Sequence, residues 1–325
     1  MPNEILPSIF QLTIPLPRNP LKSLNAYLIR GDSRHLLIDT GFDWKECQEA
    51  LLAGLEQLKV DLSDIDFFIT HVHGDHSGLV YKLAGEESKV YASKTDACIL
   101  RDTMTPEYWQ KTDRLFIMHG FPRVGSREPG SRVQGYISGS EVNFSFVNEG
   151  DVIEIGPYRL SCIMTPGHSP GHVCLYEADK KLLFSGDHIL NDISPNITLW
   201  LEMEDPLGEY LQSLDLVYGL DIGLVLPGHR SLIKDHRKRI LEIKQHHQAR
   251  LAEILEILAK GDLLKAYEIA SFMNWDLSYE SWEEFPPFQK WFATGEAVAH
   301  LEHLVQLNKI GKIQTDEHLL YGINI

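Results

Sequence analysis

The sequence predicts an α/β protein in which two β-sheets pack together and helices cover their outer faces. Strand-like and helix-like segments alternate over the first third of the 325 residues, and residues 151–229 are mostly strand-like. Charged, helix-like sequence takes over from residue 236. Because strands mixed with helices in this order are typical of layered sheets, we expect a large domain at 1–235 and a smaller one at 236–325.

The elements of the large domain follow one another in a regular order. IFQLTI, LNAYLIRG and RHLLIDTG have the composition of strands, and a Gly-Asp-Ser turn joins the last two. Apolar spacing predicts a helix at 43–58, and DIDFFIT at 64–70 predicts a short buried strand. Further helices are expected at GLVYKLAG, near 96–101 and near 206–219, and further strands at KVYAS, DVIEIG, YRLSCIMTPG, HVCLYEA, KLLFSGD and GLVLPGH.

Residues 101–145 form an unusual segment between two of the predicted strands. Its aromatic residues and glycines suit a lid over a cleft, although an insertion that caps the core would have the same composition. Five of its residues are candidates to line a binding pocket: Tyr108, Trp109, Phe116, Phe121 and Arg123.

The charge and the N-terminal sequence limit the classes of partner. A net charge of −16 argues against a generally basic surface that would hold nucleic acid or an anionic membrane. The first residues, MPNEILPSIF, lack a basic region followed by an apolar core, and no run of about 18 apolar residues occurs. We therefore expect a cytoplasmic protein with no membrane partner.

Residues with metal-binding side chains follow four of the predicted strands. The stretch THVHGDHSG, directly after a buried strand, crowds three histidines and an aspartate into six positions, and three later strands each end in one more such residue. The full set is His71, His73, Asp75, His76, His168, Asp187 and His229. Loops at one edge of a rigid sheet scaffold are the usual location of chemistry, so we expect these side chains to share a cavity.

Glycines precede the last three residues of this set. Gly167, Gly186 and Gly228 are expected to let the backbone turn sharply at each strand end, so that the next side chain points inward. Imidazoles and carboxylates gathered in this way need a partner, because a desolvated charge must be paired or coordinated. Imidazole with carboxylate suits zinc, and also iron or manganese, better than calcium.

The ordered set H-x-H-x-D-H, followed by His, Asp and His at strand ends, resembles the metallo-β-lactamase superfamily. TPGHSPGH is similar to the corresponding motif of its glyoxalase II-type and β-lactamase-like hydrolases. The resemblance covers roughly residues 5–235 and implies an αββα sandwich with the site at one edge of the two sheets. It also implies a centre of two divalent metal ions, for which we expect zinc, with iron or manganese as alternatives.

The resemblance implies a role for each residue of the site. One ion would be held by His71, His73 and His168, the other by Asp75, His76 and His229, and Asp187 would bridge them. Asp39 of LIDTG would support the ligands from behind, as such outer partners fix the tautomer of an imidazole. His172 either supports a ligand in the same way or makes ordinary core hydrogen bonds, and His188 is expected to be structural.

Water is the expected nucleophile. A two-metal centre makes hydroxide available near neutral pH and polarises a carbonyl or phosphoryl oxygen, and Asp75 can hold the attacking water. The sequence contains no competing nucleophile motif and no phosphate-binding glycine loop. The expected function is hydrolysis of an ester, thioester or lactone of a small molecule. Endoribonuclease or phosphodiesterase activity is the main alternative, followed by a mononuclear iron persulfide dioxygenase and a non-catalytic metal-binding scaffold.

The C-terminal part predicts three helices and a hairpin, which is the order of a winged helix. Its ending HLEHLVQLNKIGKI is similar to that of the β-lactamase-like protein 2 group, whose animal members act as endoribonucleases, so RNA is a candidate substrate. Residues 236–325 nevertheless hold 10 Lys and Arg against 13 Asp and Glu. Only 230–250 is locally basic, and we therefore disfavour RNA. The winged helix could instead serve a homodimer, substrate binding or stability.

Overall fold

The computed structural model describes residues 2–17, 19–123, 142–276 and 279–323. In this part of the chain the first sheet contains seven strands: β1 (Asn3–Leu6), β2 (Ile9–Pro15), β3 (Ser23–Arg30), β4 (His35–Ile38), β5 (Ile65–Phe68), β6 (Val90–Ser93) and β7 (Phe144–Val147), in that spatial order. The pairs from β1 to β4 are antiparallel, and those from β4 to β7 are parallel. The carboxyl ends of β4 and β5 therefore meet at one edge.

The second sheet of the described chain has five strands: β8 (Val152–Ile155), β9 (Tyr158–Met164), β10 (Val173–Glu177), β11 (Leu182–Gly186) and β12 (Leu224–Pro227). Its spatial order is β12-β11-β10-β9-β8. Both β9 and β11 run antiparallel to β10, and β12 runs parallel to β11. The carboxyl ends of β9, β11 and β12 consequently lie at the same edge of this sheet.

The helices occupy the outer faces and the C-terminal region. Their bounds are α1 (Lys45–Gln57), α2 (Gly74–Ser77), α3 (Val80–Leu83), α4 (Lys94–Asp102), α5 (Pro106–Met118), α6 (Pro206–Tyr218), α7 (His236–Leu258), α8 (Ala266–Phe272) and α9 (Pro287–Gln306). Polar caps define several of the starts: the side chain of Ser93 accepts from Asp96 N, and that of Thr105 accepts from Tyr108 N.

Apolar side chains join the layers. Between the sheets, Ile29 and Phe68 of the first sheet pack with Leu160 and Phe184 of the second. A second cluster places α1 and α3 on the outer face of the first sheet, and a third places α6 and α7 on the outer face of the second. This is the predicted two-sheet α/β architecture with helices outside, and the prediction is confirmed.

The C-terminal region consists of α7, α8, α9 and an antiparallel hairpin, β13 (Gly311–Gln314) with β14 (Leu319–Gly322). The predicted order of helices and hairpin is present. One apolar cluster is built within this region, for example from Ile254, Ile269 and Tyr321. Ile240 of α7 and Ala299 of α9, however, pack in the cluster that contains Tyr210 of α6. The boundary at residue 235 stays a prediction.

Four of the elements named above were not predicted: β1, α2, α5 and β7. β1 and β7 are the two edge strands of the first sheet. α5 lies inside the segment expected to form a lid, of which residues 124–141 lie outside the described part. Within the described ranges, none of the helices has the length and apolar character needed to cross a membrane.

Candidate metal centre

The seven side chains predicted to bind metal come together where the carboxyl ends of strands from both sheets meet. Their donor atoms form three overlapping groups, and within each group the atoms lie within 4.8 Å of one another. The groups are His71, His73 and His168; His71, His76 and Asp187; and Asp75, His76 and His229. The site residues are almost entirely buried, apart from the partly exposed His73.

Local backbone geometry places the first four of these residues. His71 and His73 lie in the short connection between β5 and α2, and their rings meet edge-on with centroids 4.8 Å apart. His73 is the residue before α2, and Asp75 and His76 lie on that single helical turn, closed by His76 N donating to His73 O. β5 ends at Phe68 and α2 begins at Gly74, so the short connection and the helical turn together bring the four ligand-type residues into one place.

The three glycines do not all act in the same way. Gly167 (φ +133°) and Gly186 (φ +46°) have the left-handed backbone conformations that glycine adopts readily, as expected for sharp turns. Gly228 is required for space instead: a Cβ there would lie 2.7 Å from Asp187 Oδ1 and 2.7 Å from His76 Cε1. Any larger residue at 228 would push into the site itself.

Three histidines are held in one tautomer by acceptors outside the site. His76 Nδ1 donates to Asp39 Oδ2 (2.7 Å), His229 Nδ1 donates to Ser23 O (2.7 Å), and His168 Nδ1 donates to Asn196 O (2.8 Å). A carbonyl or carboxylate oxygen can only accept, so Nδ1 carries the proton in each case. In the neutral ring, each Nε2 then presents a lone pair to the centre of the site.

Ring nitrogens of neighbouring histidines face one another across the site, and this arrangement fits a cation. His76 Nε2 lies 3.2 Å from His229 Nε2, and His71 Nε2 lies 3.0 Å from His73 Nδ1. His168 Nε2 is buried without a hydrogen-bond partner among the described residues. Buried acceptors without donors are costly unless a proton or a metal ion lies between them.

The two carboxylates extend the donor set. Asp187 Oδ1 lies 3.4 Å from His76 Nε2, and its Oδ2 lies 3.6 Å from His229 Nε2 and 3.8 Å from His168 Nε2. Asp75 Oδ2 lies 3.4 Å from His229 Nε2. Burial favours protonation of both carboxyls, but the neighbouring histidines outweigh it. They lower the pKa of Asp75 to about 2 and that of Asp187 well below its usual range, so both are ionised.

The histidines fall into two electrostatic groups. Burial lowers the pKa of His71 well below its usual value and that of His73 to about 3, and the neighbouring imidazoles add to the effect. These rings are neutral at pH 7, which is the form that binds metal. Burial also disfavours the charge on His76, but the carboxylates of Asp187, Asp39 and Asp75 outweigh it and raise its pKa well above the usual value. These three carboxylates therefore favour positive charge at this point of the site.

Asp39 was predicted as a supporting residue, and for His172 either support or ordinary core hydrogen bonding was expected; both contact residues of the site from behind. Asp39 has a φ of +60° at the end of β4 and accepts from Thr70 N (2.9 Å) as well as from His76. Asp187 N donates to His172 Nε2 (3.3 Å), and Thr165 Oγ1 lies 2.8 Å from His172 Nδ1. Both residues therefore orient backbone or side chains next to the site.

The residues predicted to line a pocket have different environments. Tyr108 packs with Val72 and Leu100, next to the histidine motif. Trp109 is partly buried and donates from Nε1 to Thr103 O. Phe116 is only 1% exposed and stacks on Trp291, and Phe121 packs edge-on against Phe116 and Tyr267. Burial gives these two phenylalanines a packing role between α5 and the C-terminal region, whereas Arg123 is exposed.

Trp200 was missed by the sequence reasoning. Its ring lies 5.7 Å from the His73 ring, and its Nε1 donates to His168 O (3.2 Å). It is partly exposed on the long segment between β11 and α6. A single tryptophan in a segment without periodicity carries no positional signal, so only the fold shows that it borders the site.

Asp96 was missed as well, although a signal for it exists. Its carboxylate accepts from Val72 N (2.8 Å), Ser169 Oγ (2.5 Å) and Gly171 N (2.6 Å), and so joins the two loops that carry His73 and His168. Burial raises the pKa of Asp96 to about 6, and these hydrogen bonds oppose the rise, so the group is ionised at neutral pH. The spacing S-x-x-D at Ser93 is a helix-start pattern that points to this position.

Asp96→Asn is expected to destabilise the fold by about 2–4 kcal/mol, because an amide group turns a donor toward one of the N–H groups that the carboxylate accepts from. Urea unfolding measures this change. Asp102→Asn, at the exposed end of the same helix, is the matched control and should change stability by less than about 0.5 kcal/mol. Equal stability of the two variants would contradict the role of Asp96.

Comparison with known proteins identifies the family and agrees with the fold. A sequence model of the Metallo-beta-lactamase superfamily matches residues 20–229. The human acyl-coenzyme A thioesterase MBLAC2 is 28% identical over 63% of this chain and 72% of its own length, and the protein of the same name from Gallus gallus is 30% identical over 66% and 74%. A crystal structure of a metallo-beta-lactamase family protein from Thermus thermophilus superposes with a TM-score of 0.83, at 29% identity, over 98% of this chain and 100% of that one.

The chain belongs to the metallo-beta-lactamase superfamily. The predicted class of enzyme, a metal-dependent hydrolase, is confirmed by this membership together with the converging histidine and aspartate side chains.

Proposed function

We propose that this protein hydrolyses thioesters of small molecules at a centre of two divalent metal ions. The observation that carries the proposal is the convergence of seven side chains with metal-binding donor atoms, in which the facing ring nitrogens of His76 and His229 lie 3.2 Å apart and those of His71 and His73 lie 3.0 Å apart. Five imidazoles and two carboxylates suit zinc, with iron or manganese as alternatives. When bound, such ions lower the pKa of water and polarise a carbonyl oxygen.

The proposed division of ligands follows the grouping of donor atoms. One ion is assigned to His71, His73 and His168, and the other to Asp75, His76 and His229. Asp187 is assigned to both, because its two oxygens face histidines from each set, His168 on one side and His76 on the other. Asp39 and His172 act as the supports behind these ligands.

Asp75 is the proposed catalytic residue. Its carboxylate is ionised at neutral pH, lies beside His229 and can accept a hydrogen bond from the attacking water. In the reaction the water oxygen bonds to the acyl carbon, the carbon–sulfur bond breaks, and the sulfur leaves as a thiol after taking up a proton. The products are a carboxylic acid and a thiol, and no oxidant or reductant is required.

The proposed entry side is marked by His73 and its neighbours. His73 is the partly exposed member of the set, Trp200 lies against it, and Tyr108 packs in the adjacent apolar cluster. Aromatic surface beside a polar centre suits an acyl group with an apolar body. Tyr108 and Trp200 are therefore the proposed substrate contacts, and Trp200 replaces the buried Phe116 and Phe121 in that role.

Thioesters are preferred over the related esters and lactones because of the relatives. Two of them, from human and chicken, are named acyl-coenzyme A thioesterases, and a glyoxalase II-like motif is consistent with the same bond type. Esters and lactones have the same carbonyl chemistry and are the alternatives within this class.

The basic run at 230–250 offers little support for an RNA substrate, since most of its long cations have partners within the chain. Arg237 donates to Tyr218 O and Leu220 O, and Arg239 donates to Leu190 O and Ile193 O. Lys244 pairs with Asp215. Guanidinium groups committed to carbonyl oxygens are not free to bind phosphates.

The test of the proposal is a substrate panel on protein loaded with zinc, manganese or iron. We expect hydrolysis of an acyl-coenzyme A, little or no cleavage of a phosphodiester, and weak RNA binding at physiological salt. Tight RNA binding that declines steeply with salt, and that Lys234→Ala with Lys238→Ala weakens, would favour the endoribonuclease instead. These two exposed lysines are chosen because their replacement leaves the contacts of Arg237 and Arg239 intact.

We further propose that residues 236–325 form a winged-helix-like domain. Supporting observations are the order of three helices and a hairpin and an apolar cluster built from within the region. Its helices also pack on α6 of the large domain, so the two parts are in extensive contact.

A further inference from the structure

The segment between β11 and α6, residues 188–205, lies against the metal centre on one side. It is called the 188–205 loop below. Asn196 O accepts from His168 Nδ1 (2.8 Å), and Trp200 Nε1 donates to His168 O (3.2 Å). The loop therefore holds both the ring and the backbone of His168.

The other side of the same loop is anchored on the C-terminal helices. Asn196 Nδ2 donates to Glu296 Oε2 of α9 (3.2 Å), and Arg250 Nε of α7 donates to Glu296 Oε1 (3.3 Å). Arg250 also pairs with Glu253 (2.8 Å) and donates to Asn274 O (2.6 Å). A continuous set of hydrogen bonds thus connects α7 and α9 to His168 through Asn196.

Further contacts fix the loop to the same helices. Arg239 of α7 donates to Leu190 O (2.7 Å) and Ile193 O (2.9 Å). His303 of α9 pairs with Asp205 (3.0 Å). Gly295 of α9 lies so close to the loop that an added Cβ would collide with the Thr198 hydroxyl. The C-terminal helices contact this loop along most of its length.

We propose that Glu296 is a positioning residue for the metal centre, and that the C-terminal helices complete that centre by holding the 188–205 loop in register. Glu296 fixes the side chain of Asn196. The backbone carbonyl of Asn196 in turn fixes the tautomer and the direction of the His168 ring. The proposal rests on the proposed role of His168 as a ligand. It gives the C-terminal region a part in metal binding at a distance from the ions.

Burial explains why one carboxylate can have this effect. The side chains of Glu296 and Arg250 are only 15% and 9% exposed, so water cannot readily replace a lost partner. Without Glu296, the side-chain amide of Asn196 loses its acceptor. The backbone at residue 196 is then held less firmly, and its carbonyl can turn away from His168 Nδ1. Outer partners of ligating histidines typically change metal affinity or activity by about 10–100-fold, and one step further out we expect the lower end of that range.

Glu253 provides a matched control. Like Glu296, it is a partly buried carboxylate that pairs with Arg250, and its side chain is 18% exposed. Its other oxygen accepts from Asn274, away from the metal centre, and not from Asn196. Glu253→Ala therefore removes a comparable ion pair and leaves the link to His168 in place.

The experiment measures cobalt(II) affinity, by competition with a chelator, and the visible absorption spectrum of the cobalt(II)-loaded full chain. Glu296→Ala should weaken the cobalt affinity by about tenfold and alter the spectrum, whereas Glu253→Ala should change neither, even if both lower the thermal unfolding temperature. Glu296→Gln should restore the wild-type spectrum, because its amide oxygen still accepts from Asn196 although the charge facing Arg250 is lost.

A double-mutant cycle with Asn196→Ala tests the connection itself. Once Asn196→Ala has removed the link, Glu296→Ala should cause no further loss of cobalt affinity. Wild-type affinity and spectrum in Glu296→Ala, or equal effects of Glu296→Ala and Glu253→Ala, would overturn the inference. Cobalt binding requires no substrate, so this outcome is distinct from a failure of the thioesterase proposal, which would appear as intact metal binding without acyl-coenzyme A hydrolysis.

Discussion

Asp75→Asn is expected to lower kcat for thioester hydrolysis by about 10²–10⁴-fold, the range typical of a lost proton-transfer group. The ionised carboxylate lies beside His229 and can both orient water and accept its proton. An amide of the same shape keeps the packing but has no basic oxygen. Steady-state kinetics on an acyl-coenzyme A measures the effect, and circular dichroism verifies that the fold is unchanged.

His188→Gln is the control for this prediction. His188 directly follows Asp187 and is fully buried, but its ring packs against His172 and Tyr210 and is not among the converging donors. We expect the variant to keep most of the activity. Equal loss of activity in the two variants would show that the roles of Asp75 and His188 are assigned incorrectly.

Asp187→Ala is expected to have an effect of similar size through metal content. Its carboxylate lies between His76, His168 and His229, at 3.4–3.8 Å from their Nε2 atoms. Without Asp187, the site loses a negative charge that would reduce the repulsion between two cations held close together. We expect about two metal ions per chain in the wild type, a clear reduction in the variant, and at least about a 10²-fold loss of turnover.

Asp192→Ala is the matched control for Asp187→Ala. Asp192 lies in the 188–205 loop that follows Asp187, but its side chain is 61% exposed and faces Arg230. Elemental analysis after desalting should show wild-type metal content in this variant. A single tightly held iron per chain, unaffected by His229→Ala, would contradict the dinuclear account and favour the persulfide dioxygenase alternative.

The sequence was most informative where chain direction determines position. Asp39, Asp187 and His229 each follow a strand, and the carboxyl ends of these strands meet at one edge, so strand ends with ligand-type residues could be combined into one site from the sequence. The two-sheet architecture could also be predicted, because apolar residues define the strands and glycines mark where the strands end. These patterns are local, so they can be recognised without knowledge of the tertiary contacts.

Residues that act through long-range contacts could not be predicted in this way. Asp96 accepts from Gly171 across 75 positions, and Glu296 reaches Asn196 across 100 positions. Phe116 was predicted to line a pocket because it is an aromatic residue of the 101–145 segment, but it packs against Trp291 and is buried. For Gly228 the reason was misjudged, because the space beside Asp187, and not a left-handed turn, requires glycine.

The central claim is that seven side chains hold two metal ions, and anomalous X-ray scattering from crystals of the zinc-loaded chain tests it most directly. The account predicts two anomalous peaks, one contacted by His71, His73 and His168 and the other by Asp75, His76 and His229, with Asp187 touching both. A single peak at full zinc loading, or a peak that none of these side chains contacts, would contradict it.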